Sequence, residues 1–407
     1  MITQDYLLTL LSRQQALNFK PGEEFSYSNS NYTLLAEIIK NVSGQSFRGF
    51  ADSAIFRPLG MTSTHFHDDH TEVVPNRSYS YRPLDNVRYA NMPLNYANAG
   101  ATSLFTNVVD MAKWVANFYS PKVGYARVLQ KLTTNGVLNN GAKISYAAGI
   151  SVDAYNGKKR YSHAGGDAGY RTFVSVFPDQ RMGFIVFSNF ATADVVGKGN
   201  ELADLFFPPL PVNEKKKIDS NLAKFTDTVA IAKFMGNYIS LDGIQFSFKL
   251  KDKQVYWTSP AATHLLARDK NDTLISINNP EVKFLFSGKS SSEAVVDQYW
   301  PDNHRTLKKY ALPTTDSTQL RQALTQYVGT YYSPEADFSY TLSLTAQGLE
   351  MGSSQSFTIK SPLNYLQTDL FKRSNAVLLF RRNEKNQISG FELSTNRTRN
   401  LLFKKRN

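Results

Sequence analysis

Two segments of the chain carry side chains suited to catalysis. In Pro21-Gly22-Glu23-Glu24-Phe25-Ser26-Tyr27-Ser28-Asn29-Ser30-Asn31-Tyr32, a Pro-Gly turn leads into a Tyr-Ser-Asn set, so a phenol and an amide sit on a constrained loop just before a helix. Far downstream, Tyr161-Ser162-His163-Ala164-Gly165-Gly166-Asp167-Ala168-Gly169-Tyr170 places an imidazole ahead of a glycine pair. Glycines lack a Cβ and let a ligand lie directly against backbone N–H groups. A third constellation, His65-Phe66-His67-Asp68-Asp69-His70, clusters imidazoles and carboxylates of the kind that bind zinc and activate water. The chain has no cysteine, which removes thiolate nucleophiles, disulfides and cysteine-ligated zinc. No serine is followed three positions later by a lysine, and there is no Gly-x-Ser-x-Gly elbow.

These groups need elements to position them. After Asn31, read as an N-cap, apolar residues fall at Tyr32, Leu35, Ile38, Ile39 and Val42, and Gly44 follows; the spacing predicts an amphipathic helix packed on a core. A second helix is predicted after Thr106 or Asn107, with Val109, Ala112, Val115 and Phe118 on one side and Pro121 beyond its end. The period then changes. Tyr170 to Phe177 and Met182 to Phe187 are aromatic and β-branched runs separated by Pro178-Asp179-Gln180-Arg181, which predicts a buried hairpin. Helices on an antiparallel sheet follow as the expectation for the first half.

From Phe206 to Lys217 the chain is proline-rich and then charged, as expected of a linker. Beyond it the sequence repeats itself. Phe234-Met235-Gly236-Asn237-Tyr238 returns as Tyr327-Val328-Gly329-Thr330-Tyr331, and Lys283-Phe284-Leu285-Phe286 returns as Val377-Leu378-Leu379-Phe380 at the same separation to within one residue. Both copies are dense in short strands and polar turns, so each is expected to form a small antiparallel barrel or curved sheet. The expected division is 1–212, 213–313 and 314–407.

The 407 residues, 42% hydrophobic and 20% charged, exclude wholesale disorder, and no apolar stretch is long enough to span a bilayer. The net charge of +12 favours acidic partners, but the basic residues are scattered and no nucleic-acid motif accompanies them, so no nucleic-acid partner is expected.

The Tyr27-Ser28-Asn29 and His163-Ala164-Gly165-Gly166 segments resemble the second and third motifs of the serine β-lactamase and penicillin-binding-protein family, in the class C-like branch that includes esterases and D-aminopeptidases. Leu17 to Gly22, Ile55 to Met61, Asn98-Ala99-Gly100 with Asp110-Met111-Ala112, and His163 to Asn189 match in the same order, so the resemblance covers residues 1–207. It implies an α+β fold, with an antiparallel sheet flanked by helices, followed by the two barrel-like units. The implied activity is amide or ester hydrolysis through an acyl-serine, on D-amino-acid peptides, β-lactams or esters, with no cofactor. By position Tyr27 acts as or shares the general base, Asn29 holds the substrate amide, and His163 supplies the third motif's cationic or hydrogen-bonding group. Gly165 and Gly166 are implied to bind substrate, with the Gly166 N–H as oxyanion donor. A phenol of pKa near 10 becomes a base at neutral pH only beside positive charge, which is why the family surrounds its tyrosine with a lysine and a third-motif cation or imidazole.

The family's nucleophile lies in Ser-x-x-Lys, farther upstream of the tyrosine than residues 1–26 allow. The expectation is therefore a member lacking its N-terminal part, inactive as it stands, whose full-length form is exported to the periplasm or beyond. Two alternatives accompany this reading: a non-catalytic binding or scaffold protein on the same fold, and a zinc hydrolase using His65, His67, Asp69 and His70. The last matches the metallo-β-lactamase string, but that fold sets it after a buried strand. Here it follows the helical Ile55 to Met61, so a histidine-rich surface loop without metal is expected.

Overall fold

A computed structural model describes residues 3–208, 228–260, 262–268, 273–279, 281–300, 303–312, 317–353 and 360–406. The stretch of the expected linker from Pro209 to Lys217, and the expected boundaries near 213 and 314, lie outside the described residues. Two compact units account for the chain: Met1–Ser12 with Tyr27–Asn213, and Arg13–Ser26 with Glu214–Asn407.

In the first unit, four strands form an antiparallel sheet in sequence order: β1 Ser151–Tyr155, β2 Lys158–Asp167, β3 Tyr170–Phe177 and β4 Met182–Ser188. The predicted hairpin is β3 and β4; its turn is a short 3-10 helix at Pro178–Gln180 closed by Arg181 in the left-handed region, φ 53°. Proline presets the first turn position, which is why the run of strand residues breaks there. Phe173, Val176 and Phe177 are buried along β3. Glycine lets two helices approach the sheet closely. A Cβ on Gly183 would fall 2.3 Å from Val115 of the helix Val108–Asn117, and one on Gly199 of the helix Val195–Asp204 would fall 2.3 Å from Phe173.

Both predicted helices form, with corrected faces. The first runs Asn29–Ser43, so Asn31 lies inside it and Ser28 occupies the N-cap, extended and without a side-chain cap bond; Gly44 ends it at φ 70°, donating to the Lys40 carbonyl. Its inward residues are Thr33 and Ala36, whereas Leu35, Ile38 and Val42 are exposed at 48%, 54% and 84%. The reason is a close crossing: a Cβ on Gly100 would lie 2.7 Å from the Ala36 Cβ and 2.8 Å from the Tyr32 carbonyl oxygen, so only small side chains fit that side. The second helix is capped by Asn107, which accepts from the Asp110 N–H at 2.9 Å. It buries Asp110, Met111 and Val115 rather than Val109 and Ala112. Asp110 tolerates burial because the Ser63 N–H, the Thr64 hydroxyl and Lys113 all donate to it.

In the second unit, strands between Gly236 and Tyr310 close an eight-stranded antiparallel barrel, and those between Gly329 and Lys405 form a nine-stranded antiparallel sheet. The internal repeat has a structural counterpart. Gly236 and Gly329 each open a strand at positive φ, 137° and 147°, with Lys309 and Lys405 lying over them. Tyr238 and Tyr331, each fully buried, donate their hydroxyls to the carbonyls of Phe234 and Tyr327, in both cases at 2.7 Å. Arg13–Ser26 runs with this unit through a bidentate Glu24–Arg399 ion pair and reciprocal hydrogen bonds of Asn18 with the backbone of Arg397 and Arg399. Among the described residues, no helix is long and apolar enough to cross a membrane.

Candidate functional site

Tyr27 and His163, remote in sequence, meet in the first unit with ring centroids 6.0 Å apart. Tyr146 completes a triangle, 6.0 Å from Tyr27 edge-on and 6.1 Å from His163. The Tyr146 hydroxyl lies 3.2 Å from His163 Nε2. Burial pushes the Tyr146 phenol well above its ordinary range, with the neighbouring Tyr32 and Tyr27 adding to the effect. It therefore stays protonated, and its hydroxyl shares a hydrogen bond with the imidazole. Burial also lowers the His163 pKa, opposed in part by a hydrogen bond with the Ala164 backbone, so the ring is neutral at pH 7. Tyr32, raised chiefly by burial, is hydrogen-bonded to Tyr146 and joins the cluster from one turn into the helix.

The strand that carries His163 outruns its neighbour. β1 begins at Ser151, opposite Ser162 on β2, while β3 pairs with β2 as far as Asp167 opposite Tyr170. From His163 to Asp167, β2 thus has a strand on one side, and among the described residues none pairs with its other edge. Ala164 and Gly166 are exposed there. The two glycines differ. A Cβ on Gly165 would sit 2.2 Å from the Thr172 hydroxyl, so packing against β3 already demands glycine; one on Gly166 would make only an ordinary contact with Arg171. Asn29 is the first residue of the helix Asn29–Ser43; its carbonyl accepts from the Thr33 hydroxyl, which also donates to Asn98 Oδ1, and its side chain makes no hydrogen bond among the described residues.

At the end of β2, the Tyr96 hydroxyl donates to Asp167. Burial raises the Asp167 carboxyl above its ordinary value, with Tyr96 and Arg171 pulling the other way. Tyr32, Tyr96, Tyr146 and Asp167 were not singled out from sequence. Tyr32 reads as part of an apolar helix face, and Tyr146 lies in an irregular stretch with no periodicity.

The histidine string is a surface loop only in part, with Asp68 and Asp69 exposed. His67 is 1% exposed and His65 half-buried on a two-residue strand, His65–Phe66, paired with Leu104–Phe105. Asp69 is spent on a turn, accepting from both the Thr71 N–H and hydroxyl, and the residue that joins the two histidines is Glu72.

A protein-family description, Beta-lactamase, matches residues 5–205. That region belongs to the beta-lactamase family. It includes Tyr27, Asn29, Tyr146, His163 and the glycine pair, and the fold is the expected mixed helix-and-sheet domain followed by one closed and one nearly closed β unit. Among similar proteins, "Protein flp" of Staphylococcus aureus (strain MRSA252) is 27% identical over 42% of this chain and 35% of its own length. "Penicillin-binding protein 4*" of Bacillus subtilis (strain 168) is 26% identical over 63% of this chain and 60% of its own. The chain thus matches between about a third and three fifths of these relatives' lengths. Among solved structures, the octameric penicillin-binding protein homologue from Pyrococcus abyssi aligns at 23% identity and a TM-score of 0.45, covering 75% of this chain and 70% of that one.

Proposed function

We propose that the first unit carries the tyrosine and third-motif part of a serine-hydrolase site that cleaves an amide or ester through an acyl-serine. The observation that carries this reading is the 6.0 Å approach of Tyr27 to His163 at the start of a strand edge that no described residue pairs with. In this reading the Tyr27 phenol relays the proton, Asn29 holds the substrate amide, the substrate lies along the β2 edge, and the Gly166 N–H faces the developing oxyanion. A neutral His163, hydrogen-bonded to Tyr146, orients groups but supplies no positive charge. Activation of the phenol therefore falls to the lysine of Ser-x-x-Lys, and these 407 residues contain neither that lysine nor its serine. The active protein we propose includes that motif from outside this sequence and is exported from the cytoplasm. Its substrates are D-amino-acid peptides, β-lactams or esters.

Incubation with a fluorophosphonate and with a fluorescent penicillin tests the proposal. The chain as given stays unlabelled, whereas a product of the same reading frame extended to include Ser-x-x-Lys becomes labelled. Tyr27→Phe in the extended protein slows acylation by about 10²–10⁴-fold. A labelled 407-residue chain, or an extended protein indifferent to Tyr27→Phe, overturns the reading.

A further inference from the structure

The histidine string folds into a pocket that the hydrolase reading does not use. His65 lies opposite Phe105 in the short strand pair, and the His67 N–H donates to the Ser103 carbonyl at 2.8 Å, fixing the backbone under both rings. The His67 ring stacks on Phe105, with centroids 4.3 Å apart and planes at 17°. Both ring nitrogens of His67 and Nε2 of His65 are buried without a hydrogen-bond partner among the described residues. An imidazole always has one nitrogen that donates and one that accepts, or two that donate, so a ring removed from water with neither satisfied lacks a partner that its chemistry calls for. The turn made by Asp69 returns the chain with Glu72 beside these rings, its N–H donating to the Asp69 carbonyl and its carboxylate 3.8 Å from His67 Nδ1. One donor atom each from His65, His67 and Glu72 lies within 4.8 Å of the others.

We propose that His65, His67 and Glu72 form a binding site for a transition-metal dication, with Zn²⁺ as the representative ion. Two imidazole nitrogens and a carboxylate oxygen are a borderline donor set that suits zinc and leaves a fourth position for water. Bonds of about 2.0–2.1 Å would place tetrahedral ligands about 3.4 Å apart, so the set closes inward on binding. Arg48 makes this closure feasible. It now holds Glu72 in a bidentate pair, at 2.6 and 2.9 Å, and also bonds Asp68 at 3.0 Å, so a Glu72 oxygen can turn to the ion while Asp68 keeps the guanidinium neutralised. The ion would tie the loop from Asp68 to Glu72 to the strand pair, a structural role independent of acyl transfer. His70 Nε2 is also buried and unpartnered but lies outside the three-donor set.

The test uses the full chain, without an affinity tag and stripped by chelator, titrated with Zn²⁺ against a chromophoric competitor, with bound metal counted by mass spectrometry. One equivalent binds and the melting temperature rises. His65→Ala and Glu72→Gln each weaken binding by about tenfold or more, while His70→Ala leaves it unchanged. Because His67 is buried and its replacement risks misfolding, the half-buried His65 and the exposed Glu72 carry the test, with circular dichroism confirming that the variants fold. Absence of binding at micromolar Zn²⁺, or binding that survives both variants, or binding lost only in His70→Ala, overturns the proposal.

Discussion

The C-terminal β units and the N-terminal sheet domain solve the same problem, the burial of aromatic-rich strands, in different ways. In the barrel and the nine-stranded sheet, large side chains interlock completely: Tyr238, Phe248, Phe284, Tyr331, Phe371 and Phe391 are all buried to within 1%. Ring pairs such as Phe391 and Phe403, stacked at 4.9 Å, fill the interior of the nine-stranded sheet, and closure pairs every strand of the eight-stranded barrel on both sides. In the beta-lactamase domain, by contrast, the rings of Tyr27, Tyr146 and His163 cluster while remaining half-buried, a strand has one edge that no described residue pairs with, and one helix turns its large apolar residues to solvent. One region spends its aromatics on cohesion; the other leaves them partly exposed.

Substitutions should separate the two regions by magnitude. Phe391→Ala in the nine-stranded sheet should cost about 3–5 kcal/mol, because the void left among Tyr331, Phe380 and Phe403 cannot collapse around rings fixed in neighbouring strands. Chemical denaturation checks this, and a loss below about 1 kcal/mol would contradict the packed core. Gly100→Ala in the beta-lactamase domain comes next, at about 1–3 kcal/mol, since Gly100 has φ 99° and its new methyl would meet Ala36 and the Tyr32 carbonyl. The paired change with Ala36→Gly should recover part of that loss. No recovery would show that the backbone angle and the Tyr32 carbonyl, rather than the Ala36 methyl, set the cost.

What sequence could show follows the same contrast. The hairpin of β3 and β4 was legible because an apolar run, a Pro-Asp-Gln-Arg turn and a second apolar run are all local signals. The repeat was legible because each copy needs a positive-φ glycine and a tyrosine that returns to a carbonyl four residues back, which constrains the same residue types twice. Tyr27 and His163 were found only through motif resemblance. Their meeting depends on how far β2 runs past β1, a long-range register that no local pattern encodes. The face of the helix Asn29–Ser43 was misread because periodicity reports that apolar residues share a side, not that anything covers them. There the contact was decided by Gly100, from another segment. Glu72 escaped notice because it lies beyond the compact string, brought back by a turn built on Asp69.

The half-buried cluster should also respond to acid, as the closed aromatic cores do not. Burial lowers the His163 pKa from 6.5 in the folded protein, so as pH falls through about 6.5 the unfolded chain takes up its proton first. The stabilisation tied to neutral His163 is therefore present above that value and lost below it. His163→Gln should reduce the drop in unfolding free energy between pH 7 and pH 5.5 relative to the parent. An identical or steeper drop in the variant would mean that His163 does not titrate in this window.

The smallest effect is expected at the exposed helix face. Ile38→Ser and Val42→Ser remove apolar surface that is already 54% and 84% exposed, so each should change stability by no more than about 0.5 kcal/mol, and solubility should rise. On the buried side of the same helix, Ala36→Ser places a hydroxyl against Gly100 and should cost more than either. This ranking inverts what the apolar stripe alone implies, where Ile38 is a core residue and Ala36 an incidental one. If Ile38→Ser instead cost more than about 1.5 kcal/mol, the stripe would be covered in solution, and the contrast between a self-sufficient β core and a domain with an open apolar face would fail at its most accessible point.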